Sequence, residues 1–204
     1  MGRSFPVTAA AALFGAFLAG AVHAGIPDPA LSDIDNVIAS PGGSLAYSVT
    51  ILGSDGPVED AIVRLVFSAE VQPLVCWCSG QVQPEISATT NASGVATFHV
   101  AAGGCFDPAQ FNDPPVQVFA NGILMDEVGM VSPDAVDSGG LFPWQPWNLG
   151  ATCGAGLPDA VAHTGPIKSG AYSFCTDLNS DGAVGILDAV MVTPSIKAGA
   201  FCPR

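Results

Sequence analysis

Between residues 30 and 130 apolar and polar positions alternate in short runs, each closed by a turn signal. Leu45, Tyr47, Val49 and Ile51 alternate with Ala46, Ser48 and Thr50, the period-2 pattern of a strand with one buried face. After Asp55-Gly56-Pro57 turns the chain, residues 61–67 form a denser β-branched run, as a central strand requires. Further strands are predicted over 73–77, 85–89, 95–100, 116–120 and 123–128. The last two flank Asn121-Gly122, a strong hairpin signal because both residues tolerate positive φ.

About seven strands in about 100 residues is the arithmetic of an immunoglobulin-like sandwich. Val58-Glu59-Asp60-Ala61 leads into one strand, and Thr90-Asn91-Ala92-Ser93-Gly94-Val95-Ala96-Thr97-Phe98 into another. Together they resemble the bacterial Ig-like domains of the invasin and intimin type, over roughly residues 26–131. The resemblance implies a stalk, spacer or adhesive module without catalytic residues. Asn91-Ala92-Ser93 also spells a glycosylation sequon, but the hairpin itself asks for Asn and Gly there, and the structural reading is preferred.

The patterning breaks at Ser132-Pro133-Asp134 and Ser138-Gly139-Gly140, where a second part begins. Aligning Gly156-Leu157-Pro158-Asp159-Ala160-Val161 with Gly185-Ile186-Leu187-Asp188-Ala189-Val190 fixes an offset of 29 residues. The same offset pairs Thr164 with Thr193, Ile167 with Ile196, Lys168 with Lys197, Gly170 with Gly199 and Ala171 with Ala200. The chain therefore contains a duplicated loop-plus-helix unit. The second helix is expected over 186–192, ending before Pro194.

Chemistry concentrates in the loop over 177–188. Asp177, Asn179, Asp181 and Asp188 fall at loop positions 1, 3, 5 and 12, with the Ala183 carbonyl at position 7 and Gly182 at position 6 for the sharp turn. A hard cation such as calcium takes six to eight oxygens, so alternate residues must converge while those between point away. Gly185 would act through water, and Val184 would tuck into the core. Asp188 stands where Glu is usual. With the duplication and the apolar helix that follows, the loop resembles the dockerin modules of exported bacterial proteins, over about residues 132–202. That resemblance implies a calcium-dependent fold and a cohesin-like or cell-surface protein as partner. In the first unit only Asn148 and Asp159 remain as plausible ligands, so this copy is expected to hold calcium poorly; a loop begun at Asp134 and using Asp137 is the lesser option. Ile186 and Leu187 replace the polar recognition residues of many cellulosomal dockerins.

The N-terminus changes the picture of where the protein acts. Arg3, an apolar run over 7–22 and Val22-His23-Ala24 have the order of a secretory signal, with cleavage expected after Ala24 and no membrane span thereafter. The parts are thus 1–24, a signal peptide; 25–131, an all-β Ig-like sandwich; and 132–204, a small α-helical, loop-rich dockerin-like EF-hand module. A formal charge of −13, one unit more negative once Arg3 is removed, disfavours nucleic acid and anionic membrane surfaces. A secreted or cell-surface location makes disulfides the expected state of Cys76, Cys78, Cys105, Cys153, Cys175 and Cys202. Cys76 and Cys78 lie too close to pair with one another, so one of them is expected to close to Cys105, and two of Cys153, Cys175 and Cys202 to close within the duplicated module. The remaining two either bridge the parts or stay free.

Nothing in the sequence looks catalytic. His99 and His163 have no nucleophile motif beside them, and Glu59-Asp60 and Asp126-Glu127 are adjacent acids on strands, not facing pairs. The leading expectation is a non-catalytic interaction protein. The alternative is a carbohydrate-binding accessory protein of a polysaccharide-degrading or adhesion system, using Trp77, Trp144 or Trp147 as stacking platforms; Phe142 and the latter two tryptophans are better read as packing between the parts.

Overall fold

A computed structural model describes residues 25–134, 154–199 and Cys202. Residues 1–24, expected as a signal peptide, and Asp137, Phe142, Trp144, Trp147, Asn148 and Cys153 lie outside the described residues. Twelve short strands run in order: β1 (Val37–Ser40), β2 (Tyr47–Thr50), β3 (Leu52–Gly53), β4 (Gly56–Pro57), β5 (Ile62–Phe67), β6 (Cys76–Trp77), β7 (Glu85–Thr89), β8 (Val95–Phe98), β9 (Val100–Gly103), β10 (Val116–Ala120), β11 (Ile123–Val128) and β12 (Met130–Val131). One sheet has the order β12-β1-β9-β6 and another β11-β10-β5-β7, while β2 pairs with β8 and β3 with β4.

Alternation explains the second sheet. In β5 the buried side chains are Val63, Leu65 and Phe67, and the register sets Leu65 opposite Val118 on one side and Ile86 on the other. The opposite face carries Arg64, whose guanidinium lies 3.1 Å from the Glu85 carboxylate and 5.4 Å from the centre of the Phe119 ring. Asn121 and Gly122 both take positive φ in the β10–β11 hairpin, as the dipeptide implies. Thr90, the first residue of the stretch over 90–98, is buried; its hydroxyl donates to the Val58 carbonyl at 2.6 Å and accepts from the Ala61 amide at 2.8 Å. Asn91 uses its side-chain oxygen to accept from Ser93 and Val95 amides, the turn role expected of it.

The sequence pattern misses β1, and the reason is physical. Val37, Ile38, Ala39 and Ser40 are all buried, and the strand runs parallel to both β12 and β9. A strand covered on both faces carries no alternation. The two-residue β12 is too short to show any.

Helices α1 (Leu157–Ser169) and α2 (Ile186–Ala198) begin and end at positions separated by the repeat offset. The duplication extends to detail. Asp159 accepts the Gly156 amide at 2.7 Å and Asp188 the Gly185 amide at 2.8 Å, closing the two helix starts alike. Thr164 donates to Ala160 and Thr193 to Ala189, each at 2.6 Å, and Gly170 and Gly199 end the helices in the left-handed region. The expectation that the second helix stops before Pro194 is corrected, since α2 runs through it to Ala198. Proline removes only the bond to the Val190 carbonyl, and the flanking Val192 and Ser195 are held buried on both sides of it.

The helices do not form a separate core. Leu178 and Val192 belong to the same buried cluster as Val37, Phe67, Phe106 and Met130, with Phe174, Met191 and Ile196 packed against it. A Cβ on Gly129 would meet the Phe174 ring and would lie 2.7 Å from the Phe106 carbonyl oxygen, so glycine is what lets the turn over Phe174–Thr176 press onto the strands.

The cysteine pairing departs from expectation in the same direction. Cys105 bonds Cys175 and Cys78 bonds Cys202, so the predicted closure of Cys105 to Cys76 or Cys78 is wrong, and neither Cys175 nor Cys202 closes within the duplicated unit. Cys76 is disulfide-bonded as well. A bridge between the parts, left open for two of the six cysteines, is instead the arrangement of both Cys78–Cys202 and Cys105–Cys175, because packing brings the helical unit against β6 and the end of β9.

Candidate metal centre

The loop over 177–188 begins from the turn at Phe174–Thr176 and ends on the first turn of α2. Ser180 and Gly182 take φ of 56° and 79°, which folds the intervening acids back on themselves. Asp177 and Asp188 are 3% and 1% exposed, and Asp181 is exposed. Asp188 accepts the Leu178 amide at 2.8 Å and the Asn179 amide at 3.4 Å with Oδ1, while Oδ2 takes the Gly185 amide. Asp177 accepts the Asp181 amide at 3.1 Å and the Gly182 amide at 3.0 Å. Asp181 accepts the Ala183 amide at 2.9 Å and the Asn179 side-chain amide at 2.8 Å. Val184 is buried, as its place in the loop implies.

Electrostatics add to this. Burial first, and then the nearby Asp188 and Asp181 carboxylates, raise the Asp177 carboxyl above its ordinary value, against the lowering effect of the Gly182 and Asp181 amides. Among the described residues no Lys, Arg or His forms an ion pair with these acids. The loop thus offers side-chain oxygens from Asp177, Asn179, Asp181 and Asp188, two of the carboxylates withdrawn from water, with no basic side chain paired to them among the described residues. The oxygens are not gathered, however. Among the described residues no group of three or more His, Cys, Asp or Glu is arranged so that it could hold a metal ion. Asp181 and Asn179 bond each other at the exposed rim instead of turning inward.

Asp159, the counterpart of Asp188, is buried at the start of α1, and Asp134 is buried just beyond β12. His163 replaces the repeat's Val192 and is also buried. Its ring spans the junction, with Nε2 3.2 Å from the Pro133 carbonyl oxygen and Nδ1 3.3 Å from the Thr176 hydroxyl. Burial, outweighing the Pro133 bond and the Asp159 and Asp188 charges, lowers its pKa from 6.5. The unfolded chain therefore binds a proton that the folded chain resists. Stability contributed by neutral His163 is complete above about pH 6.5 and falls as pH drops through that value toward the folded pKa. Denaturation midpoints between pH 7.5 and 5 are expected to decline, and His163→Gln is expected to flatten that decline; an unchanged slope would show that the imidazole is not the group being titrated.

Trp77 is corrected as a sugar platform. It is 8% exposed, its indole N–H donates to the Gln72 carbonyl at 3.1 Å, and its ring stands edge-on to Phe67 at 4.9 Å. His99 is exposed at the break between β8 and β9, with Nδ1 3.1 Å from the Gly43 carbonyl oxygen. Asp126 and Glu127 both face solvent because a bulge at Val118/Phe119 breaks the alternation of β11.

The sequence reading missed Asn36. Its side-chain nitrogen donates to the Ser180 hydroxyl at 3.3 Å and its oxygen accepts the Gly129 amide at 2.9 Å, joining the loop to the strands. Nothing local in the sequence marks a pair 144 residues apart. No protein-family model, curated protein or solved structure matches the chain.

Proposed function

We propose that this is an exported, non-catalytic interaction protein in which the loop over 177–188 takes one calcium ion and the duplicated helices dock onto a cohesin-like or cell-surface protein. The observation that carries the docking is an apolar exposure repeated by the duplication. Leu157 and Val161 on α1 are 76% and 67% exposed, and their counterparts Ile186 and Val190 on α2 are 74% and 60% exposed, with Leu187 beside them at 58%. Large apolar side chains left in water at matched positions of two packed helices suit a protein surface. The Ig-like strands would act as the spacer that presents them. Disulfides and the absence, among the described residues, of any helix long and apolar enough to cross a membrane are compatible with an extracellular setting.

For calcium, Asp177, Asn179, Asp181, the Ala183 carbonyl and Asp188 would supply the oxygens. Rotation of the Asn179 amide and the Asp181 carboxylate away from each other frees both for the ion, and the ion's charge offsets the burial and the neighbouring carboxylates that raise Asp177. Calorimetric titration of the mature protein is expected to show one site, lost in Asp181→Ala. Two equal sites, or none, would overturn this assignment. Binding to an immobilised cohesin-like module in calcium is expected to fall at least tenfold in a Leu187→Asp, Val190→Asp variant that keeps its calcium. The carbohydrate alternative predicts instead a glycan-array signal lost with Trp144→Ala.

A further inference from the structure

The loop is built from one end by the helical repeat and from the other by the strands. The Cys105–Cys175 bridge ends two residues before Asp177 and spans 70 residues of sequence. Thr176, between them, is buried against His163, which also reaches Pro133 at the end of the strands. Leu178, loop position 2, is 2% exposed within the common core. Ser180, loop position 4, is held by Asn36. Every residue from Cys175 to Ser180 that does not carry a ligand oxygen is therefore attached to another element.

The other end is fixed differently. Asp188 sits on the first turn of α2, where its own bonds to the Leu178, Asn179 and Gly185 amides set its orientation. The segment over 175–178 that carries Asp177 is itself held from three sides: to the strands by the Cys105–Cys175 bridge and by Leu178 in the common core, to α1 by the bond between His163 and Thr176, and to Asp188 by the Leu178 amide.

We infer that the Cys105–Cys175 disulfide is a positioning bond for the cation loop: it presets Asp177 opposite Asp188, so that calcium affinity depends on this bridge and on the strands that carry it. The inference rests on the calcium reading of the loop. A preset loop spends less of the binding free energy on ordering its ligands, and releasing one end returns that cost. The coupling is reciprocal, so calcium in turn favours the oxidised form of this bridge over the reduced one.

Two measurements test it. In calcium titrations the variant Cys105→Ser, Cys175→Ser is expected to bind at least tenfold more weakly than the wild-type chain, whereas Cys78→Ser, Cys202→Ser, which frees only the chain beyond α2, stays within about threefold. Reduction of the wild-type protein, followed by differential alkylation, needs no variant. Calcium is expected to slow the opening of Cys105–Cys175 at least fivefold while leaving Cys78–Cys202 near its chelator rate. If the wild-type chain binds calcium but neither the affinity nor the reduction rate depends on this bridge, the positioning role is overturned and the loop assignment stands. If the wild-type chain binds no calcium, the loop assignment falls, and the positioning role with it.

Discussion

Opening the bridges is expected to destabilise the protein by about 4 to 5 kcal/mol each when the other is kept intact, the magnitude set by loop-closure entropy. Cys78–Cys202 closes 124 residues and Cys105–Cys175 closes 70. The shorter loop lies inside the longer one. Once the outer bridge is formed the inner ends are already confined, so removing both should cost more than the sum of the two single effects. Urea unfolding of wild-type and Cys→Ser pairs measures this directly. A single transition is expected in each case, because Leu178 and Val192 share one buried cluster with Val37, Phe67 and Met130. Two separated transitions in the fully reduced chain would mean that the helical repeat keeps a core of its own.

How much of this was legible follows from where each signal lives. Strands with one wet face announce themselves, so 62–67, 85–89, 116–120 and 123–128 match the expected runs within a residue. The β10–β11 turn was written in Asn121-Gly122, and the helix pair in a repeat that carries caps, threonine bonds and left-handed glycine ends alike. What stayed hidden is long-range. Val37–Ser40 is buried on both faces and has no period to read. Asn36 meets Ser180 only because the fold brings them together, and Cys105 meets Cys175 for the same reason. Spacing put the loop's acids in one stretch of twelve residues, but the attachment of that stretch to the strands could not be inferred from a pattern contained within it.

That attachment sets the expected reach of calcium through the fold. Without a cation the Asp177 carboxylate sits buried beside Asp188 and Asp181, and like charges at close range weaken the closed loop. An ion that binds only the folded loop stabilises it by about 2.7 kcal/mol at a hundredfold excess over its dissociation constant, which is about a hundredfold slower exchange where reclosing outpaces labelling. From sequence alone the effect would stop at the end of the helical unit. The structure gives it a path further: Leu178 enters the common core, and Asn36 ties Ser180 to Gly129, whose carbonyl receives the Val37 amide at 2.9 Å. Hydrogen exchange with and without chelator is therefore expected to show loss of protection over α2 and also at β1 and β12. Strands β5, β7 and β10 lie in the other sheet and share only the common core with Leu178, none of the hydrogen bonds from the loop reaching them, so their protection should fall less than that of β1 and β12. Loss confined to 176–198 would show that the Asn36 and Leu178 contacts transmit nothing, and loss in β5 equal to that in α2 would show that the empty loop lowers the stability of the whole chain.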